Sequence, residues 1–181
     1  MFELFRPDID VAAEAARMTA AGRPTIFSLD DLYPDAVPTM HALRAAGYRL
    51  ALAANQPRAA ADVLAAMDVT FDLVATSDAW GVAKPDPAFF ERLIAELGMD
   101  PGEIAYVGDR VDNDVRPAAA AGMVAVLIRR GPWGWIQAGA SDPPDASIVL
   151  DSLSDLPDAL GRIAGSLPGR GARRARSSWR G

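Results

Sequence analysis

The chain has 181 residues, half of them hydrophobic, and a formal net charge of −6. It contains no cysteine, which excludes disulfides, thiol catalysis and thiolate metal sites. No apolar run reaches the roughly 18 residues that span a membrane, and no basic segment precedes an apolar one at the N-terminus. We therefore expect a cytoplasmic protein with no membrane partner.

The charge is unevenly distributed along the chain. The last fourteen residues contain five arginines and no acid, so the remainder carries a net charge of −11. Residues 167–181 are predicted to form a basic, disordered tail, with contact to nucleic acid or to an acidic surface as the alternative. An acidic body argues against nucleic-acid binding by the core. The single histidine, His41, lies in a helical pattern far from any acid-rich loop and is expected at the surface.

The first half of the chain alternates between helical and strand patterns. Helices are predicted at residues 8–22, 36–46 and 57–67. Strands are predicted at residues 25–29, 48–53 and 71–76. Gly22 ends the first helix and Gly47 follows the second, as is common at helix C-termini.

The second half continues the alternation. Asp86 followed by Pro87 predicts a helix start, and Gly98 predicts its end after Leu97. Further strands are predicted at residues 104–107, 124–128 and 147–150, and further helices at 115–121 and 157–163. Strands that alternate with helices predict an α/β fold, a Rossmann-like parallel sheet flanked by helices.

The stretch Ile104–Met123 carries the densest group of acids. An apolar strand ends at Gly108, and Asp109, Asp112 and Asp114 follow directly. Open α/β sheets bind ligands at the carboxyl ends of their strands, and carboxylates suit Mg²⁺. Helix capping by Asp112 and Asp114 is the alternative on these residues alone.

Two further residues complete the pattern. The chain has 17 arginines and one lysine, Lys84, between prolines in the segment GVAKPDPAFF. A compact ammonium on a stiff loop suits the binding of a charged group, although a surface lysine is the alternative. Asn55 follows the strand YRLALAA, where its amide or backbone N–H would reach an anion, but asparagine is also common in turns.

Together, Asn55, the segment with Lys84 and the segment VGDRVDNDVRPAAAAGM resemble the haloacid-dehalogenase-like (HAD) hydrolase superfamily, over roughly residues 31–153. The resemblance implies a Mg²⁺-dependent phosphatase that acts on a small phosphorylated substrate. It implies that Lys84 is catalytic and binds phosphate together with Asn55, and that Asp109 and Asp114 bind the metal. Asp112 would not bind the metal itself and would at most support a residue that does.

The sequence departs from the family pattern at two places. Ala54 replaces the serine or threonine that normally precedes the asparagine. The family's nucleophile comes from a DxD motif at the end of the first strand, and no such motif follows an apolar strand here. Asp8-Ile9-Asp10 follows Arg6-Pro7, and the adjacent acids Asp30 and Asp31 would point to opposite faces of a strand.

We therefore expect the first strand, which lies centrally in the resembled fold, to be missing. Residues 1–30 would be the remainder of a helical cap, residues 31–166 the α/β core, and residues 167–181 the tail. The function expected at family level is a phosphatase whose nucleophile segment is missing from this chain. A non-catalytic module that binds phosphate or metal, and a haloacid dehalogenase, are the alternatives.

Overall fold

The computed structural model describes residues 28–131, 133 and 143–166, together with the isolated positions 13, 17, 20 and 21. In that part of the chain, helices and parallel strands alternate, as the sequence predicts. The predicted helix at 8–22, the first residues of the predicted strand at 25–29 and the predicted tail at 167–181 lie outside it. Its helices include none that is long and apolar enough to cross a membrane.

Five strands and six α-helices are described. The strands are β1 (Ala51–Ala54), β2 (Leu73–Thr76), β3 (Ala105–Gly108), β4 (Val124–Ile128) and β5 (Ile148–Leu150). The helices are α1 (Ala36–Ala45), α2 (Ala60–Ala65), α3 (Ser77–Trp80), α4 (Pro87–Leu97), α5 (Arg116–Ala120) and α6 (Leu156–Ser166). Short 3₁₀ turns lie at Leu29–Asp31, Pro101–Glu103 and Leu153–Asp155, and a π-turn lies at Val111–Val115.

Helix α4 shows how local sequence sets the ends of an element. The Asp86 carboxylate accepts a hydrogen bond from the N–H of Ala88, and Pro87 occupies the first turn, where no intrahelical donor is needed. Gly98 ends the helix with φ +60°, a left-handed conformation that costs glycine little. The predicted bounds of α4 and β4 are confirmed.

Other boundaries differ from the prediction. Strand β1 begins at Ala51 rather than at Tyr48, and α2 begins at Ala60 because a turn occupies the residues after Pro57. Leu29, predicted as the end of a strand, lies in a 3₁₀ turn. Helix α3 was not predicted, because four residues are too few to show a helical period. Its signals are the cap Thr76, whose hydroxyl accepts from the N–H of Ala79, and Gly81 after the last turn.

The core has two apolar layers, one on each face of β4. Because side chains alternate along a strand, Ala125 and Leu127 face one layer and Val126 faces the other. The first layer is built on α4 and α5 and includes Phe89, Phe90, Leu93, Val115 and Ala118. The second is built on α1 and α6 and includes Leu43, Leu150, Leu156 and Ala159. The strands therefore lie between two layers of helices.

The strands form two separate parallel sheets in the part of the chain that is described. One has the order β1–β2 and the other β3–β4–β5. A side chain links them, since the Tyr106 hydroxyl on β3 donates to the Ala53 carbonyl on β1 at 3.3 Å. The missing central strand stays a prediction, because most of residues 1–27 lie outside the described residues.

Candidate active site

The candidate site lies at the carboxyl ends of β1 and β3. Asn55 directly follows β1, Asp109 directly follows β3, and Lys84 lies in the loop between α3 and α4. The carboxyl ends of strands in an open α/β sheet form the edge at which such folds bind ligands. The fold thus brings three residues of the predicted site from separate segments to one edge.

Asn55 fixes the backbone of Lys84. Its side-chain nitrogen donates to the Lys84 carbonyl and its side-chain oxygen accepts from the Lys84 N–H, each at 2.8 Å. The peptide bond between Lys84 and Pro85 is cis. This contact with the Lys84 backbone was not predicted from the sequence, and it engages the amide group that was predicted to bind phosphate.

Lys84 extends from this loop to Asp114. Its Nζ lies 2.6 Å from Oδ1 of Asp114, and the two side chains are only 11% and 4% exposed. The ammonium also lies 5.6 Å from the centroid of the Tyr106 ring, within the range of a cation–π contact. The only lysine in the sequence is therefore a largely buried positive charge at the carboxyl edge of the strands, and not a surface residue.

The π-turn at Val111–Val115 places Asp114 in the interior. The second carboxylate oxygen of Asp114 accepts from the backbone N–H of Arg110 at 3.2 Å. Gly108 makes room for this side chain, because a Cβ atom at position 108 would overlap the Asp114 carboxyl group. Asp114 thus serves neither as a helix cap nor as a surface acid.

Asp109 and Asp112 have different surroundings. Asp109 is half-buried, and burial, followed by the negative charge of Asp114, raises its pKa above the usual value for an aspartate. Asp112 is exposed and pairs with Arg110 at 2.6 Å. The guanidinium of Arg110 in turn lies 4.2 Å from the centroid of the Trp133 ring.

The donor set suits Mg²⁺. Asp109 and Asp114 supply hard carboxylate oxygens, and Mg²⁺ in proteins usually takes one or two carboxylates and completes its coordination with water and substrate phosphate. Burial and the neighbouring charge of Asp114 raise the pKa of Asp109, and a bound cation would act in the opposite direction. The described residues include no group of three or more metal-ligating side chains.

Asp30 and Asp31, the rival acids at the predicted strand end, belong to a turn. The Asp31 carboxylate accepts from the N–H and the hydroxyl of Ser28, at 2.7 and 3.1 Å. Both acids are exposed. Asp8 and Asp10 lie outside the described residues.

An open cavity of about 580 Å³ lies beside the site. It borders Asn55 but none of Lys84, Asp109 and Asp114. Its lining comes from the ends of β1 and β2 and from the loop before Lys84, and consists of Asn55, Gln56, Pro57, Ser77, Asp78, Gly81, Val82 and Ala83. Because Lys84, Asp109 and Asp114 all lie outside this cavity, the cluster that they form is distinct from it.

Known proteins are similar to this chain in sequence and in fold. The chain is 35% identical to a glyceraldehyde 3-phosphate phosphatase of Methanopyrus kandleri, over 82% of its own length and 65% of that relative. It is 35% identical to a phosphoglycolate phosphatase of Salmonella paratyphi A, over 72% and 52% of the respective lengths. The chain therefore spans about half to two thirds of these relatives.

Solved structures agree with this relationship. A HAD phosphatase from Thermococcus onnurineus superimposes with a TM-score of 0.62 at 30% identity, over 88% of this chain and 68% of that one. A 2-haloacid dehalogenase from Pseudomonas syringae superimposes with a TM-score of 0.63 at 27% identity, over 84% and 61%. The sequence model of the haloacid dehalogenase-like hydrolases matches residues 4–122. The chain, an α/β protein with phosphatases among its relatives, belongs to the haloacid dehalogenase-like hydrolases.

Proposed function

We propose that this chain carries the phosphate-binding and metal-binding part of a Mg²⁺-dependent phosphatase site for a small phosphoester. The contact of Lys84 with Asp114 at 2.6 Å, on a backbone that Asn55 fixes, carries the proposal. The relatives named as phosphatases of glyceraldehyde 3-phosphate and phosphoglycolate support the phosphoester class.

The arrangement suits phosphoryl transfer, which depends mainly on positioning and on the neutralisation of negative charge. Lys84 presents an ammonium from a fixed loop and would bind the oxygens of the phosphoryl group. Its low exposure strengthens that interaction, because water screens a buried charge less. Asn55 would act by holding Lys84 in place, and its own backbone N–H would remain available to the anion.

Asp109 and Asp114 would hold the metal. When bound, Mg²⁺ would supply further positive charge to the phosphoryl oxygens. Asp114 already accepts from Lys84, from the Arg110 N–H and, at 3.5 Å, from the side-chain nitrogen of Asn113. A carboxylate has about four acceptor positions, so about one remains for a metal. Asp112 is paired with Arg110 and is expected to contribute little.

The sequence contains no DxD motif after an apolar strand, and Asp31 serves as a cap in a 3₁₀ turn. We propose that the nucleophile segment is missing from this chain. The 181 residues are then expected to bind phosphate and to hydrolyse phosphoesters no faster than background, because neither Lys84 nor a metal replaces an attacking carboxylate.

Binding and turnover measured together test the proposal. In a ³¹P NMR titration with and without Mg²⁺, inorganic phosphate should bind to the wild type, and Lys84→Ala should abolish binding. Asp109→Asn should remove the effect of Mg²⁺, and the matched variant Asp112→Asn should change neither. In a p-nitrophenyl phosphate assay, turnover that disappears in Asp30→Asn or Asp31→Asn would contradict the missing nucleophile.

Dehalogenation is the second candidate, favoured by the fold shared with the 2-haloacid dehalogenase from Pseudomonas syringae. Release of chloride from 2-chloropropionate, without binding of phosphate, would favour it. Binding of phosphate without turnover on either compound class would be the result expected of a non-catalytic module.

A further inference from the structure

An ion pair outside the cluster of Lys84, Asp109 and Asp114 has an unusually complete set of partners. Asp35, just before α1, receives two hydrogen bonds from Arg130, at 2.9 and 3.0 Å. It also accepts from the Ser152 hydroxyl at 3.0 Å and from the N–H of Leu153 at 2.9 Å. Asp35 and Arg130 are only 21% and 15% exposed, and their two parallel hydrogen bonds hold the guanidinium in a fixed orientation.

This ion pair supports an aromatic residue. The Arg130 guanidinium lies 4.4 Å from the centroid of the Tyr33 ring, yet the Tyr33 residue is 49% exposed. A tyrosine that only filled a gap in the core would be buried, whereas this one is held by a fixed cation and remains open to solvent. An exposed aromatic side chain with such a rigid support is well placed to contact a ligand.

The hydroxyl of Tyr33 borders the candidate active site. A Cβ atom built on Gly131 would lie 3.5 Å from Oδ2 of Asp109 and 3.6 Å from the Tyr33 hydroxyl. Gly131 has no side chain, and its φ of +67° is left-handed, so the two oxygens border one small space. Lys84 and Asp114 are more deeply buried than this space, with side chains that are 11% and 4% exposed.

We propose that Tyr33 is a specificity-determining residue whose hydroxyl bonds the non-transferred, polar part of a small phosphoester. Asp35 and Arg130 are positioning residues for it. The inference rests on the proposed function, because Lys84 and Asp109 define where the phosphoryl group lies. The remainder of the ligand would then leave the site past Asp109 and reach Tyr33. A phenol donates and accepts hydrogen bonds, so it suits a hydroxyl, carbonyl or carboxylate oxygen.

Two probes separate the two ends of the ligand. Inorganic phosphate has no non-transferred part, whereas 2-phosphoglycolate carries a carboxylate there. In ³¹P NMR titrations with Mg²⁺, Tyr33→Phe should lower the affinity for 2-phosphoglycolate by roughly three- to tenfold, which corresponds to the loss of one hydrogen bond. Its affinity for inorganic phosphate should change by less than about twofold. Tyr48→Phe, which alters a half-buried tyrosine near the start of β1, is the matched control and should change neither.

Asp35→Asn tests the support. It should lower the affinity for 2-phosphoglycolate relative to that for inorganic phosphate, as Tyr33→Phe does. The double variant Tyr33→Phe with Asp35→Asn should lose no more of this preference than either single variant. Equal effects of Tyr33→Phe on the affinities for both probes, or no effect on either, would overturn the inference. The proposed function would still stand if phosphate binding depends on Lys84. A wild type that binds neither probe would overturn both. Tyr33→Phe removes one exposed oxygen, so folding does not limit the test.

Discussion

At the scale of single residues, Lys84 and Asp114 form an ion pair that is almost completely removed from water. Loss of one partner from such a pair leaves an uncompensated charge, which commonly costs about 3–5 kcal/mol. Lys84→Ala should therefore lower the free energy of unfolding by roughly 3 kcal/mol, measured by urea denaturation. The double variant Lys84→Ala with Asp114→Asn should regain part of this loss, because neither charge then remains alone.

The exposed pair of Arg92 and Glu96 provides the control for this measurement. Its side chains are 44% and 45% exposed and lie 3.6 Å apart. Glu96→Ala should cost less than about 1 kcal/mol, as is usual for surface ion pairs. An equally small effect of Lys84→Ala would contradict the burial of the Lys84–Asp114 pair.

Asp35 gives the chain a pH-dependent contribution to stability. Although burial acts to raise it, the hydrogen bonds from Arg130, Leu153 and Ser152 lower the pKa of Asp35 below its usual value. A lowered pKa in the folded state stabilises the fold above the unfolded value, near 3.9, and the contribution is lost as the pH falls through the folded value.

Asp35→Asn should therefore destabilise the protein at pH 7, by about 2 kcal/mol, and progressively less as the pH falls below about 4. Urea denaturation between pH 7 and pH 3 measures this. Asp68→Asn, at a fully exposed carboxylate, is the control and should show almost no difference at either end of the range. A constant effect of Asp35→Asn across the range would show that its charge does not matter.

At the scale of elements, β3 and the π-turn after it depend on Gly108. Gly108→Ala would place a methyl group where the Asp114 carboxyl lies, so either the π-turn or the strand must move. We expect a loss of more than about 2 kcal/mol of stability and of phosphate binding. Gly102→Ala, in the 3₁₀ turn Pro101–Glu103, has open space around the new methyl group and should cost little. Retention of phosphate binding in Gly108→Ala would be the contrary result.

The sequence predicts a helix or strand well where signals mark both of its ends or fill its whole length. The sequence predicts α4 through its cap, its proline and its glycine, and β4 through five consecutive apolar residues. It does not predict the contact of Asp35 with Arg130, because 95 positions separate them and each reads as an ordinary charged residue. The same holds for Asn55, whose partner is a backbone group 29 positions away.

The predicted site shows the same division. Strand ends identify Asn55 and Asp109, which the fold class alone brings to one edge. The single lysine identifies Lys84, whose place at that edge depends on its contacts with Asn55 and Asp114. The burial of Asp114 depends on the π-turn Val111–Val115 and on Gly108. A single π-turn has no sequence periodicity from which it could be predicted. Which oxygen accepts which donor follows from packing and not from spacing.

At the scale of the whole molecule, β1 and β3 each have one hydrogen-bonded neighbour among the described strands. An unpaired strand edge offers a row of donors and acceptors to another chain. We expect poor solubility or assembly of the 181-residue chain, measured by light scattering over a range of concentrations. A monomer that unfolds in one sharp, cooperative transition would contradict this expectation.

The two sheets also imply a distinctive deuterium-exchange pattern. In a parallel strand, successive N–H groups point to opposite sides, so alternate amides of β1 and β3 face away from β2 and β4. Those amides have no neighbouring described strand to bond and should exchange with solvent deuterium quickly, while the amides between them, which bond β2 or β4, exchange slowly. Strand β4 has a hydrogen-bonded partner on each side and should exchange slowly throughout. The candidate site would then lie at the end of a strand whose amides alternate between fast and slow exchange.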